Sequence, residues 1–267
     1  MAKKEISIDI ITGKSVSPEL KNLFAQGMEY KNQHRDYAKA ITCFQKVIAQ
    51  EPNFMHPHYL LGLTYIDMQE WEKVIPCFER VNELVDDEGD AYFSIGYAYQ
   101  QLGKNAEASA AFREADVRKL LDNRKSHLYY YWAIAEKRKA QQDSSPFFTK
   151  FQTAISIINK ALALEETAQF FLEKANILLA MQCFYDAERI YKMVEKNKNT
   201  GAEKVMEAQL GLAFCYIGLD NYDSALKWVK KLVKDNPEMK PIIAQEPAFE
   251  KVRQNASAGK ELAKLLA

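Results

Sequence analysis

The sequence predicts an all-α protein built from stacked helix hairpins, and three observations carry that reading. A 34-residue period comes first: Gly62 returns as Gly96, Tyr65 as Tyr99, Phe78 as Phe112 and Val81 as Ala115, so residues 55–88 and 89–122 repeat one pattern. The spacings inside the period are helical. Gly62 and Tyr65 stand three apart, while Val74, Phe78 and Val81 stand four and three apart, so each set shares one helix face. Finally, a single hairpin of this kind cannot bury its own apolar face, and a fixed period means that neighbours stack to supply a continuous core.

Taken in order, residues 5–18 stand outside the helical rhythm. Ile6, Ile8 and Ile10 alternate with polar residues, the two-residue rhythm of an extended segment, which is either a disordered arm or a peptide that docks on the array or a partner. Ser17 then reads as an N-cap, with Pro18 at the first helical position. The first hairpin carries Gly27, Tyr30, Ala40, Phe44, Val47 and Pro52, with one extra residue in the run Lys31 to Asp36. The second and third are the periodic pair. The fourth is marked by Ala135, Ala154, Ile158 and Ala161, and it arrives late: the period stretches from 34 to 39, which predicts a second helix of repeat three lengthened through Asp116 to Leu121. Inside repeat four the interval from Ala135 to Ala154 is nineteen instead of twelve, about two extra helical turns, shared as one on each helix, with Ser145 capping and Pro146 opening the second. The fifth hairpin carries Ala175, Ala187, Tyr191 and Val194. After a polar turn from Asn197 to Gly201, the sixth carries Ala213, Tyr216, Ala225, Val229, Leu232 and Pro237.

These six units resemble the tetratricopeptide repeat family. The position that opens each second helix is aromatic in five of six, as Tyr37, Trp71, Phe151, Phe184 and Tyr222, with Asn105 the exception. The resemblance implies a right-handed α-solenoid of about six hairpins over residues 20–238, preceded by an amino-terminal arm at 1–19. Residues 239–267 resemble the end-of-group segment that closes many bacterial tetratricopeptide arrays, so Ile242, Ile243, Phe249 and Val252 are expected to cover the last apolar face.

Composition narrows the function classes. The 267 residues are 48% hydrophobic, ample for a core, and 36 basic residues balance 36 acidic ones. Phosphate neutralisation needs a surplus of Lys and Arg, so nucleic acid is not the expected partner. Cys43 and Cys77 lie one repeat apart, each beside a core Phe, and with Cys183 and Cys215 they read as free thiols of a reducing compartment. The cysteines share no metal-ligand spacing with His34, His56, His58 and His127. His56 and His58 read as a solvated pair. Neither a signal peptide nor a spanning helix is expected, which predicts a cytoplasmic protein without membrane insertion. There is no phosphate loop, nucleophile elbow or catalytic triad motif, so neither catalysis nor a cofactor is expected. The stripe Lys227, Lys230, Lys231 and Lys234 and the acidic run Asp86 to Glu88 read as a solvated face and a helix-start charge.

In the tetratricopeptide family the first helices line a concave groove. Carried over by alignment, its inward positions give Phe24, Met28, Tyr59, Leu63, Ile66, Phe93, Tyr97, Trp132, Leu172, Asn176, Leu210 and Phe214. So apolar a surface marks a binding site, unless curvature or the amino-terminal arm buries several of these residues as core. The family's carboxylate clamp for chaperone tails has no counterpart, since repeats one to three offer Phe24 and Met28, Leu60, then Asp90 and Ser94 at its positions. The resemblance implies a scaffold or adaptor that takes an apolar or helical segment of another protein or peptide. The alternatives are a chaperone or secretion escort, whose bacterial representatives are typically shorter, and a helical-repeat RNA binder. Self-association is left open.

Overall fold

The computed structural model describes residues 16–85, 87–143 and 150–267, and those residues divide into two compact units with the boundary between Lys139 and Ala140. The first contains α1 (Pro18–Glu29), α2 (Tyr37–Gln50), α3 (Met55–Asp67), α4 (Trp71–Leu84), α5 (Gly89–Gln101), α6 (Asn105–Asp116) and most of α7 (Lys125–Gln142). The second contains α8 (Gln152–Leu164), α9 (Ala168–Ala180), α10 (Phe184–Lys196), α11 (Ala202–Gly218), α12 (Tyr222–Asp235), α13 (Met239–Gln245), α14 (Glu250–Gln254) and α15 (Ala258–Leu266). Within each unit successive helices pack on one another, as α3 with α4, α4 with α5 and α5 with α6, or α9 with α10, α10 with α11 and α11 with α12.

The residues that define the period form the packing. Phe44, Phe78 and Phe112 are fully buried, and the rings of Phe78 and Phe112 sit so close to the preceding helix that a Cβ at Gly62 or Gly96 would lie 2.7 or 2.6 Å from them. Glycine at those positions is what lets two helices approach across a phenyl ring. The hairpin turns repeat in the backbone too. Arg35, Gln69, Gly103, Gln182 and Asp220 all take positive φ, and the amides of Glu70, Lys104, Cys183 and Asn221 each donate 2.9 Å to a carbonyl five residues back. This is the helix-ending αL turn with its long closing bond. In the first hairpin the additional residue forms a π-helical turn, Tyr30–His34, and the closing bond reaches six residues back, from Asp36 to Tyr30.

Helix starts follow the sequence. Ser17 accepts from the Leu20 amide with Pro18 in the first turn, Asp36 caps α2, Thr167 caps α9 and Asn221 caps α12. Three expectations are corrected. α6 ends at Asp116, and instead of a longer helix Lys119 pairs back to the start of its own hairpin: its carbonyl accepts from the Gly89 amide at 2.9 Å and its amide donates to Asp87 Oδ1 at 3.1 Å. In repeat four α7 has 18 residues, and the start of its second helix lies outside the described residues. His58 is buried within α3, where burial depresses its pKa and Nε2 lies 3.0 Å from the Pro52 carbonyl oxygen. Of the residues assigned to cover the last hairpin, Ile243, Phe249 and Val252 are buried against α12, but Ile242 is 53% exposed. The isoleucines of the arm and the Ser145–Pro146 bend lie outside the described residues.

The four cysteines are free, and burial pushes the Cys77 and Cys215 thiols up to about 12, so both stay protonated and unreactive near neutrality. Among the described residues no helix is long and apolar enough to cross a membrane, and no cluster of His, Cys, Asp and Glu is arranged to hold a metal ion.

Candidate functional site

The first helices of the first unit present a row of half-buried apolar side chains: Phe24 and Met28 on α1, Tyr59, Leu63 and Ile66 on α3, and Phe93 and Tyr97 on α5. Three of them are held from below by a buried ring. Phe24 tilts against Phe44 and Phe54, Tyr59 meets Phe78 edge-on at 5.3 Å, and Phe93 tilts against Phe112 at 6.0 Å. Such backing fixes the rings while leaving one edge to solvent, which is the arrangement of an aromatic anchor.

Four of these residues, Leu63, Ile66, Phe93 and Tyr97, line a single cavity of about 410 Å³, completed by Ser94, Asn123, Arg124, His127 and Tyr131. Tyr131 is its far wall, with ring centroids 5.1 Å from Tyr97 and 6.0 Å from Phe93, and its own carbonyl accepts from Gln100 Nε2 at 2.8 Å. Trp71 extends the aromatic row on the other side, 5.6 Å from Tyr97. At the polar edge, Arg124 Nη1 donates to Asp90 Oδ1 at 2.9 Å. Burial raises the Tyr59 hydroxyl's pKa, and the neighbouring Arg124 opposes that shift. The site therefore joins an apolar pocket to one fixed guanidinium.

The alignment missed Tyr131, Arg124, His127 and Asn123, and it misplaced two residues. Trp132 is buried, its Nε1 donating 3.2 Å to Ser109 Oγ, which itself donates to the buried carboxylate of Glu136. Leu172 is 2% exposed, packed with Ile190 and Leu212. A helix turns about 100° per residue, so an error of one in the register of α7 exchanges Tyr131 for Trp132 between groove and core. The run Tyr129-Tyr130-Tyr131-Trp132 was the available signal, because four consecutive aromatics on a helix must include some that face outward.

In the second unit, Asn176, Leu210 and Phe214 remain half-buried. Asn176 accepts from the Tyr191 hydroxyl at 2.5 Å and donates to Glu207 at 3.0 Å, so it is engaged in holding α9, α10 and α11 together. Phe214 tilts against Phe249 at 5.7 Å.

Residues 58–92 and 89–116 each match a family described as tetratricopeptide repeat. Protein bimA of Emericella nidulans is 26% identical over 91 residues, which is 34% of this chain but only 11% of that protein's length. Among solved structures, YrrB, described as a tetratricopeptide protein with an unusual peptide-binding site, superposes with a TM-score of 0.58 at 16% identity, covering 75% of this chain and 96% of YrrB. PilF of Pseudomonas aeruginosa gives 0.59 at 15% identity over 85% of this chain and 97% of PilF. At these identities the superpositions speak for fold alone, and with the matched repeats and the hairpin packing they define the class: an all-α tetratricopeptide solenoid. Residues 58–116 are therefore tetratricopeptide repeats within a chain of that fold, a fold generally used for protein–protein interaction and generally not for catalysis.

Proposed function

We propose that this chain is a non-catalytic interaction scaffold whose first unit takes an apolar or helical segment of a partner protein along Phe24, Met28, Tyr59, Leu63, Ile66, Phe93 and Tyr97. The observation that carries this reading is the cavity that unites residues of α3, α5 and α7: helix packing alone requires no open pocket walled by Leu63, Phe93, Tyr97 and Tyr131. A pocket of several hundred Å³ with apolar walls and few polar groups is the usual form of a recognition site. The peptide-binding site attributed to YrrB lends support by analogy of fold. Trp132 and Leu172 have no part in this surface, and Asn176, Leu210 and Phe214 form the candidate surface of the second unit.

The test begins with affinity capture of a partner from the native cell and titration of the purified pair. Tyr97→Ala combined with Leu63→Ala is expected to weaken binding by roughly 2 kcal/mol or more, the scale of a hot spot, with the circular dichroism spectrum and melting cooperativity retained. Unchanged affinity in the folded double variant would move the binding surface away from this face.

A further inference from the structure

We propose that the cavity of the first unit selects internal partner segments in which a large apolar side chain lies next to an aspartate or glutamate, the apolar group entering between Leu63, Phe93, Tyr97 and Tyr131 and the carboxylate meeting Arg124. The inference rests on the groove reading above and specifies its ligand. The cavity of about 410 Å³ is at the size of small recognition pockets and holds one or two apolar side chains. Its polar edge is asymmetric. Arg124, Asn123 and His127 line it, and no lining residue is a carboxylate.

Arg124 is suited to the role by how it is held. Its side chain is 36% exposed while that of its partner Asp90 is only 8% exposed, so the carboxylate lies beneath and the guanidinium outside. The guanidinium has five N–H donors in a fixed fork; the bond to Asp90 engages Nη1 and the Tyr59 hydroxyl takes a further one, which leaves donors for a ligand. A side chain already immobilised by a buried partner loses little further freedom when a ligand binds. Because Asp90 and the nearby Glu88 offset its charge, Arg124 recognises an acceptor through directed N–H groups rather than through a broad positive potential. The dependence on salt is accordingly shallow.

The partner's carboxylate belongs to a side chain, not to a chain end. The aromatic row continues past the cavity from Tyr97 to Trp71, 5.6 Å away between ring centroids, which gives a bound segment surface to follow beyond the pocket. The two-part demand also follows from chemistry: apolar walls supply affinity without orientation, and one directional donor fork fixes the direction of the segment.

A short random-peptide display library panned on the full chain tests this, followed by fluorescence anisotropy of the selected peptide labelled with fluorescein. The enriched sequences are expected to pair a large apolar residue with Asp or Glu. Converting that acid to its amide should weaken binding about tenfold, the scale of a hydrogen bond to a charged group. Amidating the peptide's carboxyl terminus should leave affinity unchanged. Arg124→Lys, which keeps the charge but loses the fork, should weaken the acidic peptide and bring it close to the amide version. The peptide-side exchange needs no protein variant, so it decides the matter even where an Arg124 substitution unfolds the chain. Peptides that lose binding in Tyr97→Ser yet bind equally as acid and amide overturn this inference and leave the groove reading standing. Peptides indifferent to Tyr97→Ser in the folded protein overturn both, and a selection with no acidic-apolar consensus, or a peptide that needs its terminal carboxylate, overturns the inference.

Discussion

The hairpins of residues 16–139 and those of residues 140–267 solve the same packing problem with a different placing of their small residues. In the first unit the crossing is made by Gly27 with Phe44, Gly62 with Phe78 and Gly96 with Phe112: a residue without a side chain beneath a large ring. In the second, the equivalent small residues are Ala175 and Ala213, and the last hairpin correspondingly carries Val229 where the phenylalanine stood. Ring and Cβ compete for one space, so the sum stays near constant while its division changes. Tyr191 tests the rule from within. It is a large ring opposite Ala175, and it finds its glycine on the next hairpin, where Gly211 lies against the ring and its hydroxyl bonds Asn176.

Five sets of substitutions break or sharpen this comparison, and the largest effect is expected at the rings. Phe112→Ala should cost about 3–5 kcal/mol by thermal or denaturant unfolding, since the fully buried ring leaves a cavity between rigid helices. A variant that melts like the wild type would contradict the assigned register. Gly96→Ala should cost about 1–3 kcal/mol by overpacking, its Cβ meeting the Phe112 ring at 2.6 Å. Adding Phe112→Val to that variant installs the division used in the second unit, and the pair should couple favourably in a double-mutant cycle. Strict additivity would mean the two sites do not share volume.

In the second unit Tyr191→Phe keeps the ring and removes the hydroxyl from Asn176, an expected loss of about 1 kcal/mol. An unaltered melting curve would show that the ring alone carries that crossing. A further difference should appear with pH in the first unit. Burial holds the His58 pKa below its usual value of about 6.5, so the unfolded chain takes up the proton first as pH falls. Stability linked to His58 is therefore fully present above about pH 6.5 and is lost below it, and His58→Gln should remove that part of the acid dependence when melting temperatures are compared between neutral and mildly acidic buffer. Parallel curves for the two proteins would rule the linkage out.

The smallest effect concerns a feature that both units share. Gln69 and Gln182 take left-handed φ values of 59° and 56°, where glycine stands at position 103. Relief of the strain is partly offset by the freedom glycine gives the unfolded chain, so Gln69→Gly and Gln182→Gly should each stabilise by a few tenths of a kcal/mol. Destabilisation in calorimetry would show that side-chain contacts outweigh the backbone there.

Much of the hairpin architecture was legible from the chain because it is local and repeated. The glycine–phenylalanine pairs, the aromatic openings of second helices and the cap Ser17 depend on neighbours three, four or 34 residues away, and each recurrence reinforces the reading. The candidate site was half legible for the same reason. Leu63, Ile66, Phe93 and Tyr97 belong to regular repeats, whereas Tyr131 and Arg124 belong to the stretch where the period breaks, and alignment has no register to offer there.

By itself, then, the sequence determined which faces of which helices are apolar, since helical periodicity follows from backbone geometry alone. Tertiary structure decided which apolar residues reach solvent and which charged ones join them. Trp132 went inward because Ser109 and Glu136 lay behind it to accept its N–H chain of bonds, and Tyr131, one step around the helix, was left to wall the cavity. Arg124 became part of the site because Asp90, thirty-four residues earlier, held it there. Those outcomes depend on the partners that packing brings together, and partner identity at a break in the period is information that no local spacing contains.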